Sequence, residues 1–258
     1  MYAETVDEGL VAISPVAALA RHGRGKRSDS ISLAERVRAV RPFSAEELRA
    51  FLAAVQETKP DFYPLFLTLA RTGLRPGEAF ALKWTDFDFN RRQILVERAI
   101  SDRIVRSTKT GTIRRVDMSQ ELAATLSHLH VEREKQKLAN GQRELSEWVF
   151  VGSAGRPFSE VWIREHFTRA MKKAGLSGHR VYDLRHTFAT TLLTNGAPIT
   201  YVAAQLGHSK PTTTLQWYSH WLPQTDRGYV DGLDDNRLRP KPLLTGELES
   251  VKQGELAS

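Results

Sequence analysis

The chain has 258 residues, a formal net charge of +7 and no cysteine. The lack of cysteine excludes disulfide scaffolds, iron–sulfur clusters, cysteine-ligated zinc and thiol nucleophiles, and a hydrophobic share of 41% excludes wholesale disorder. No apolar run approaches the ~20 residues that span a bilayer, and the acidic start differs from a signal peptide. We therefore expect a soluble, cytoplasmic protein whose positive charge suits a polyanionic partner.

The beginning and the end of the chain differ from its middle. Residues 8–20 have the pattern of a short apolar helix that Pro15 interrupts, and residues 21–41 are rich in arginine and lysine. A basic, glycine-bearing stretch of this kind is typical of an exposed linker. Beyond about residue 233 the apolar pattern fades, which predicts a flexible tail.

The middle of the chain is predicted to be mostly helical. A capping box from Ser44 to Glu47 predicts that the first helix begins directly after Ser44. Apolar periodicity, glycines and prolines predict further helices at 61–72, from Pro76, and at 119–139, 159–174, 183–195, 198–206 and 211–220. Alternating patterns predict strands within 86–117, around turns at 90–91 and 109–111, and a short strand at 148–151. The fold class is α+β, mainly α with one small antiparallel sheet.

An arginine stands at the start of the short helix that begins at Pro76. Gly73 is a natural left-handed cap for the preceding helix, and Arg75 follows two residues later. Backbone amides at a helix N-terminus attract anions, so Arg75 could share a phosphate with them. Glu78 lies one turn further and could fix the guanidinium. Taken alone, an arginine in this position is more often simply solvated.

A basic ribbon surrounds Lys109. Residues 103–115 contain five basic side chains and no acidic one, namely Arg103, Arg106, Lys109, Arg114 and Arg115. A lysine at a hairpin tip usually serves solubility. This density of positive charge nevertheless favours a pair of strands that faces phosphates, where Lys109 could deliver a proton to a leaving oxygen.

Two later segments carry further residues suited to phosphate chemistry. Tyr182 and Arg185 are three residues apart in a predicted helix and so share a face. His208 follows a glycine at a helix break, and Tyr218 stands ten residues later. Each has an ordinary explanation, such as an ion pair, a helix cap or packing. The occurrence of all four segments in this order has no such ordinary explanation.

Over residues 42–232 the sequence resembles the tyrosine recombinase, or phage integrase, family. The resemblance rests on TGLRPGEAFALKW, TKTGTIRRVDMS, YDLRHTFAT and LGHSKPTTTLQWYSH. It implies the DNA breaking–rejoining catalytic fold and an enzyme that needs no metal, no ATP and no other cofactor. In such enzymes a tyrosine attacks the scissile phosphodiester, forms a 3′-phosphotyrosyl link and expels a 5′-hydroxyl, and another strand reverses the step.

The resemblance implies a role for each candidate residue. Tyr218 is the nucleophile, Arg75 and Arg185 hold the non-bridging oxygens, His208 hydrogen-bonds the phosphate, and Lys109 is the general acid. A second group is expected to contact the phosphate or support these residues, with His186 expected to be structural: Tyr182, Glu78 and His186. The remaining basic residues of the ribbon are expected to contact DNA: Arg103, Arg106, Arg114 and Arg115.

The sequence departs from the family pattern at two positions. Tyr182 stands where the family usually has histidine, and tyrosine is a poor base near neutral pH. We therefore expect Tyr218 to lose its proton to His208 or to water. Many members place the nucleophile nine residues after the histidine, where this chain has Trp217. Tyr218 is preferred because Ser-His follows it, and weaker candidates are Tyr63, Tyr201 and Tyr229.

Members of the family generally carry a helical core-binding domain ahead of the catalytic one. Residues 1–28 resemble the last helix of such a domain followed by a basic linker, residues 42–232 the catalytic domain, and residues 233–258 a tail. With half of the DNA clamp missing, we expect weak and salt-sensitive DNA binding.

The expected partner is a double-stranded DNA recombination site of a phage or mobile element. The resemblance implies a tetramer on paired sites, a monomer when free, accessory DNA-bending proteins, no membrane, and a place at the bacterial nucleoid. Two alternatives stay open. The chain is a truncated remnant that binds DNA without completing recombination, or it is a DNA-relaxing enzyme like the type IB topoisomerases.

Overall fold

The computed structural model describes residues 39–101, 104–107, 113–141, 144–152 and 155–222, with Glu35 and Val37. Its helices are α1 (Ala45–Thr58), α2 (Tyr63–Thr72), α3 (Pro76–Phe80), α4 (Gln120–Ala139), α5 (Glu160–Lys173), α6 (Asp183–Thr194), α7 (Ile199–Leu206) and α8 (Pro211–Tyr218). Short 3-10 turns cover Pro60–Phe62, Trp84–Asp86 and Ser219–Trp221. None of the helices in the described ranges is both long and apolar enough to cross a bilayer. The helix predicted at 8–20, most of the linker predicted at 21–41 and the tail predicted at 233–258 lie outside the described residues.

The helices predicted between residues 45 and 220 are confirmed, because their end signals are local. The Ser44 hydroxyl accepts a hydrogen bond from the Glu47 amide at 3.1 Å, and the Glu47 carboxylate accepts one from the Ser44 amide at 2.8 Å. Gly73 ends α2 with φ at +64°. A side chain there would bring Cβ to 2.4 Å from the Phe188 ring, so both the backbone and the packing require glycine.

The strands are β1 (Phe87–Asp88), β2 (Gln93–Val96), β3 (Arg98–Ser101), β4 (Ile104–Ser107) and β5 (Arg114–Asp117). They form two antiparallel sheets, one in the order β1-β2-β5 and the other a β3-β4 pair, rather than the single sheet that was predicted. The expected pairing around Lys109 is wrong, since β4 pairs with β3 while β5 pairs with β2. The burial explains this choice: β2 and β5 both have a core face, whereas all of β4 is exposed.

The strand predicted at 148–151 is also wrong. This segment makes only isolated bridges, from Trp148 to Lys83 and from Val151 to Pro157. Two hydrogen bonds flank the second bridge, from the Gly152 amide to the Arg156 carbonyl and from the Phe158 amide to the Phe150 carbonyl, but the pairing does not extend into a strand.

The core has two parts that meet along α6. The larger part is built around aromatic contacts such as those of Phe51 with Phe66 and Phe167, and it includes Leu184 from the first turn of α6. The smaller part joins α6, α7 and α8 through Ala189, Leu193, Val202, Leu206 and Tyr218. Arg185 and His186 therefore lie on α6 where the two parts of the core meet.

Candidate active site

Arg75 is held by a buried carboxylate at the start of α3. It occupies the N-cap position with extended backbone (φ −67°, ψ 145°). One Glu78 oxygen accepts from the Arg75 amide at 3.0 Å, and the other accepts from the Arg75 guanidinium at 2.9 Å. Glu78 is 1% exposed, whereas the Arg75 side chain stays 26% exposed. The expected support of Arg75 by Glu78 is thus present, and the guanidinium keeps an open side.

Arg114 points into the protein, which corrects its interpretation as a DNA contact. Its guanidinium donates to both oxygens of Glu78, at 3.2 and 2.7 Å, and its Nε donates to the Gln205 carbonyl at 3.1 Å. The residue is 9% exposed. Side chains two apart on a strand share a face, so Arg114 lies on the core side with buried Val116, while Arg115 is exposed.

The charge on Glu78 is sustained by the two arginines. Burial raises the pKa of this carboxyl, but the hydrogen bonds and charges of Arg114 and Arg75 outweigh burial and leave the pKa below its ordinary value. Glu78 is therefore ionised at neutral pH and serves as the shared anion of two guanidinium groups.

Arg185 is the most deeply buried guanidinium of the site, at 2% exposure. It donates to the carbonyl of Gly73 at 2.6 Å and to the carbonyl of Leu206 at 2.8 Å, and it lies 3.1 Å from His208 Nε2. Within the ranges that the structure describes, no carboxylate forms a salt bridge with Arg185. Its positive charge is consequently held by neutral acceptors alone.

His208 is the neutral member of this group. Burial lowers its pKa to about 4, and the positive charges of Arg185, Arg75 and Arg114 add to that effect. Because Arg185 only donates, Nε2 of His208 is the acceptor, and Nδ1 carries the hydrogen that faces the Thr214 hydroxyl at 2.8 Å. His208 thus hydrogen-bonds Arg185 and Thr214 rather than Tyr218, which corrects the expectation that His208 takes the proton of Tyr218.

The Tyr218 hydroxyl lies against His186 instead. The oxygen is 2.8 Å from His186 Nδ1, and the two residues are 2% and 6% exposed. Burial lowers the pKa of His186 to about 4, so the ring is neutral, and in the tautomer that carries its hydrogen on Nε2 the Nδ1 atom accepts from the phenol. Burial also raises the pKa of Tyr218, against which Arg185 acts in the lowering direction. The histidine expected to be structural is the one that contacts the candidate nucleophile.

Tyr182 lies at the rim of the same site. It caps the N-terminus of α6, is 40% exposed, and its ring centre lies 6.0 Å from the Arg185 guanidinium carbon. Its ring also meets His186 edge-on at 5.2 Å. This position is open to a ligand, and a phosphate contact of Tyr182 stays a prediction.

The other tyrosines considered as nucleophiles have different surroundings. Tyr63 packs against the larger core. The Tyr201 hydroxyl donates to an Asp117 oxygen at 2.9 Å, and burial together with that carboxylate raises the pKa of Tyr201 to about 12. Tyr229 lies outside the described residues.

The basic ribbon is described only in part. Lys109 and Arg103 lie outside the described residues, so the structure gives no place for either. Arg106 on β4 and Arg115 on β5 are exposed, as the DNA-contact prediction requires.

Comparisons with known proteins match the part of the chain that holds the candidate site. Residues 41–225 match the phage integrase family. A XerC-like tyrosine recombinase of Caldanaerobacter subterraneus subsp. tengcongensis is 28% identical over 214 residues, which cover 76% of this chain and 54% of that protein. The ICEBs1 integrase of Bacillus subtilis is 26% identical over 195 residues, covering 74% and 53%. The chain spans about half the length of these curated relatives.

Solved structures share the fold. The Tn1549 transposon integrase in complex with a circular intermediate DNA superposes with a TM-score of 0.62 at 23% identity, covering 76% of this chain and 66% of that one. The catalytic domain of the bacteriophage HP1 integrase does so with a TM-score of 0.53 at 22% identity, covering 77% and 96%. Since the family match covers well over half of the sequence, this chain belongs to the phage integrase family.

Proposed function

We propose that this chain cleaves and rejoins DNA strands through a 3′-phosphotyrosyl intermediate, as the catalytic part of a site-specific recombinase. The observation that carries the proposal is the buried charge of Arg185. A charge removed from water without a salt-bridge partner costs several kcal/mol, and among the described residues this one is hydrogen-bonded by two carbonyls and a neutral imidazole. An arriving phosphate supplies the missing anion.

The surrounding charges favour the same ligand. The positive charges of Arg185, Arg75 and Arg114 all act on His208, whereas one carboxylate, that of Glu78, pairs with two of them, so positive charge is in excess. Arg75 keeps an exposed side, and guanidinium forks match phosphate oxygens with two parallel hydrogen bonds. Donors fixed in place before the reaction stabilise the charge that builds up on the equatorial oxygens of the transition state.

The bond changes involve the phenol of Tyr218. Its oxygen attacks phosphorus, the bond from phosphorus to the 5′-oxygen breaks, and the leaving oxygen takes a proton, a role that the family resemblance gives to Lys109. The phenol proton leaves along the hydrogen bond to His186 Nδ1. An anionic phosphodiester nearby raises the pKa of a neighbouring imidazole, which makes His186 a stronger base when DNA is bound than in the free protein.

The relatives support DNA as the partner. Besides the transposon integrase, the recombinase XerH is known in pre-cleavage and post-cleavage complexes with its difH substrate. For this chain we propose a double-stranded recombination site, a tetramer on paired sites and a monomer in free solution. Arg106 and Arg115 lie on the DNA side of the ribbon in this proposal.

The test is covalent capture on DNA that cannot be religated. The purified chain is incubated with a pool of nicked duplexes of randomised sequence, and denaturing gels reveal a protein–DNA band whose DNA is sequenced. We expect a band with the native chain and none with Tyr218→Phe. A band from Tyr218→Phe overturns the choice of nucleophile, and no band from the native chain indicates a DNA-binding remnant. Relaxation of supercoiled plasmid without sequence preference indicates the topoisomerase-like activity.

A further inference from the structure

We propose that Arg114 is a positioning residue, which sets the spacing between Arg75 and the turn that carries His208. The inference rests on the proposed function, because Arg75 and His208 are the phosphate ligands of that proposal. Arg114 itself does not touch the phosphate. It acts through Glu78 on one side and through the end of α7 on the other.

The contact on the α3 side controls Arg75. Glu78 receives four hydrogen bonds, two from Arg75 and two from the guanidinium fork of Arg114. Because both carboxylate oxygens accept hydrogen bonds from Arg114, the plane of the carboxylate is aligned with the plane of that guanidinium. The Arg75 guanidinium follows the carboxylate in turn, through the 2.9 Å bond from its Nη1.

The contact on the α7 side backs the turn before His208. Arg114 Nε donates to the Gln205 carbonyl at 3.1 Å. Gly207 ends α7 with φ at +68°, and a Cβ at this position would lie 2.8 Å from the Arg114 guanidinium carbon. The guanidinium therefore lies directly against the turn, and only glycine lets the backbone approach it so closely.

A second link between β5 and α7 keeps this contact in register. The Gln205 side-chain oxygen accepts from the Asp117 amide at 2.9 Å, and its nitrogen donates to the Asp117 carboxylate at 3.3 Å. Arg114 and Asp117 thus tie both ends of β5 to one residue of α7. Loss of Arg114 removes two of the four bonds to Glu78 and the support behind Gly207 at the same time.

The experiment compares single-turnover adduct formation at saturating DNA with DNA affinity. A misplacement of about 1 Å can cost ~10²-fold in rate, so we expect Arg114→Met to slow adduct formation by ~10- to 10²-fold while the DNA dissociation constant changes by less than ~3-fold. Arg114→Lys keeps the charge but cannot hold both Glu78 oxygens and the Gln205 carbonyl, so it restores the rate only in part. This variant carries the test if Arg114→Met does not fold.

Arg98→Met is the matched control. Arg98 also pairs with a buried carboxylate, Asp86, at 2.7 Å, but it makes no contact with Glu78. Arg98→Met should lower the melting temperature as Arg114→Met does, and it should leave the rate of adduct formation unchanged. In an Arg75→Ala background, Arg114→Met should slow the reaction by a smaller factor than in the native chain, because the part of its effect that acts through Arg75 is gone.

The outcomes separate the two proposals. If the native chain forms the adduct and Arg114→Lys reacts at the native rate, or if Arg114→Met costs as much without Arg75 as with it, the inference is overturned and the proposed function stands. If the native chain forms no adduct on any substrate, both are overturned.

Discussion

Replacing Glu78 by glutamine tests whether one buried carboxylate holds the site together. Glutamine has the same shape, but an NH₂ group replaces one of the two carboxylate oxygens. At that position two donors then face each other, so the hydrogen bonds that the oxygen accepted cannot form. At least two of the four hydrogen bonds to Glu78 are then lost. Hydrogen bonds to charged groups contribute about 1.5–3 kcal/mol each, which gives about 3–6 kcal/mol of lost stability. Breaking a buried ion pair by removing one partner typically costs about 3–5 kcal/mol, in agreement.

Urea unfolding measured at several pH values provides the assay. The pKa of Glu78 is lowered in the folded state, so its stabilisation is present above the ordinary value of 4.5 and is lost as the pH falls through the folded pKa. The difference in the free energy of unfolding between the native chain and Glu78→Gln should therefore be largest at pH 7 and should become small below about pH 4.5. The surface variant Glu165→Gln, which breaks an exposed pair with Arg169, should cost under about 1 kcal/mol. If Glu78→Gln lowers the free energy of unfolding by less than about 1 kcal/mol at pH 7, or by an amount that does not change with pH, the ionised carboxylate does not hold the site together.

Two further predictions concern acid sensitivity and salt. His186 and His208 have pKa values of about 4 in the fold against 6.5 in the unfolded chain, so the stability that each contributes is complete above pH 6.5 and falls as the pH drops toward 4, by up to about 3 kcal/mol each. Urea unfolding at pH 7 and pH 5 should show this loss, and His186→Asn, which does not titrate, should reduce it; an equal loss in the variant contradicts the pKa argument. Arg106→Gln and Arg115→Gln should each lower the slope of log affinity for DNA against log salt by about 1, measured by fluorescence anisotropy. Arg169→Gln on α5 serves as the control, and an unchanged slope in both ribbon variants contradicts their assignment to DNA.

The sequence predicted the parts of the fold that local signals encode. The Ser44 cap, the glycine after α2 and the prolines at helix starts act over a few residues, so their outcome does not depend on distant partners. Strand pairing does depend on distant partners. Residues 104–107 and 114–117 lie on either side of a predicted turn, but β5 has a core face to bury and β4 has none, so β5 pairs with β2. Which strand pairs with β2 therefore depends on burial in the whole core and not on the residues next to the turn.

The prediction that Arg114 contacts DNA is wrong for a different reason, because the sequence does contain the signal that places this side chain inside. A prediction that assigns all five basic residues of 103–115 to one charged surface ignores that neighbouring strand residues face opposite ways. Val116 is apolar and belongs inside, so Arg114 belongs inside with it and Arg115 belongs outside. Buried arginines are usually paired with an acid, and the preceding motif offers Glu78 as that partner.

Which histidine faces Tyr218 depends on helix packing, and here the sequence had no local signal. The Tyr218 ring is buried in the smaller core with Ala189 and Leu193 of α6. His186 precedes these residues by three and seven positions, so it lies on the same face of α6, one turn nearer the N-terminus. The packing that buries the ring therefore brings its hydroxyl to His186, while His208, in the turn after α7, is held by Arg185 and Thr214. A chain with tyrosine at position 182 still presents an imidazole to the phenol, because the packing of α8 on α6 supplies it from position 186.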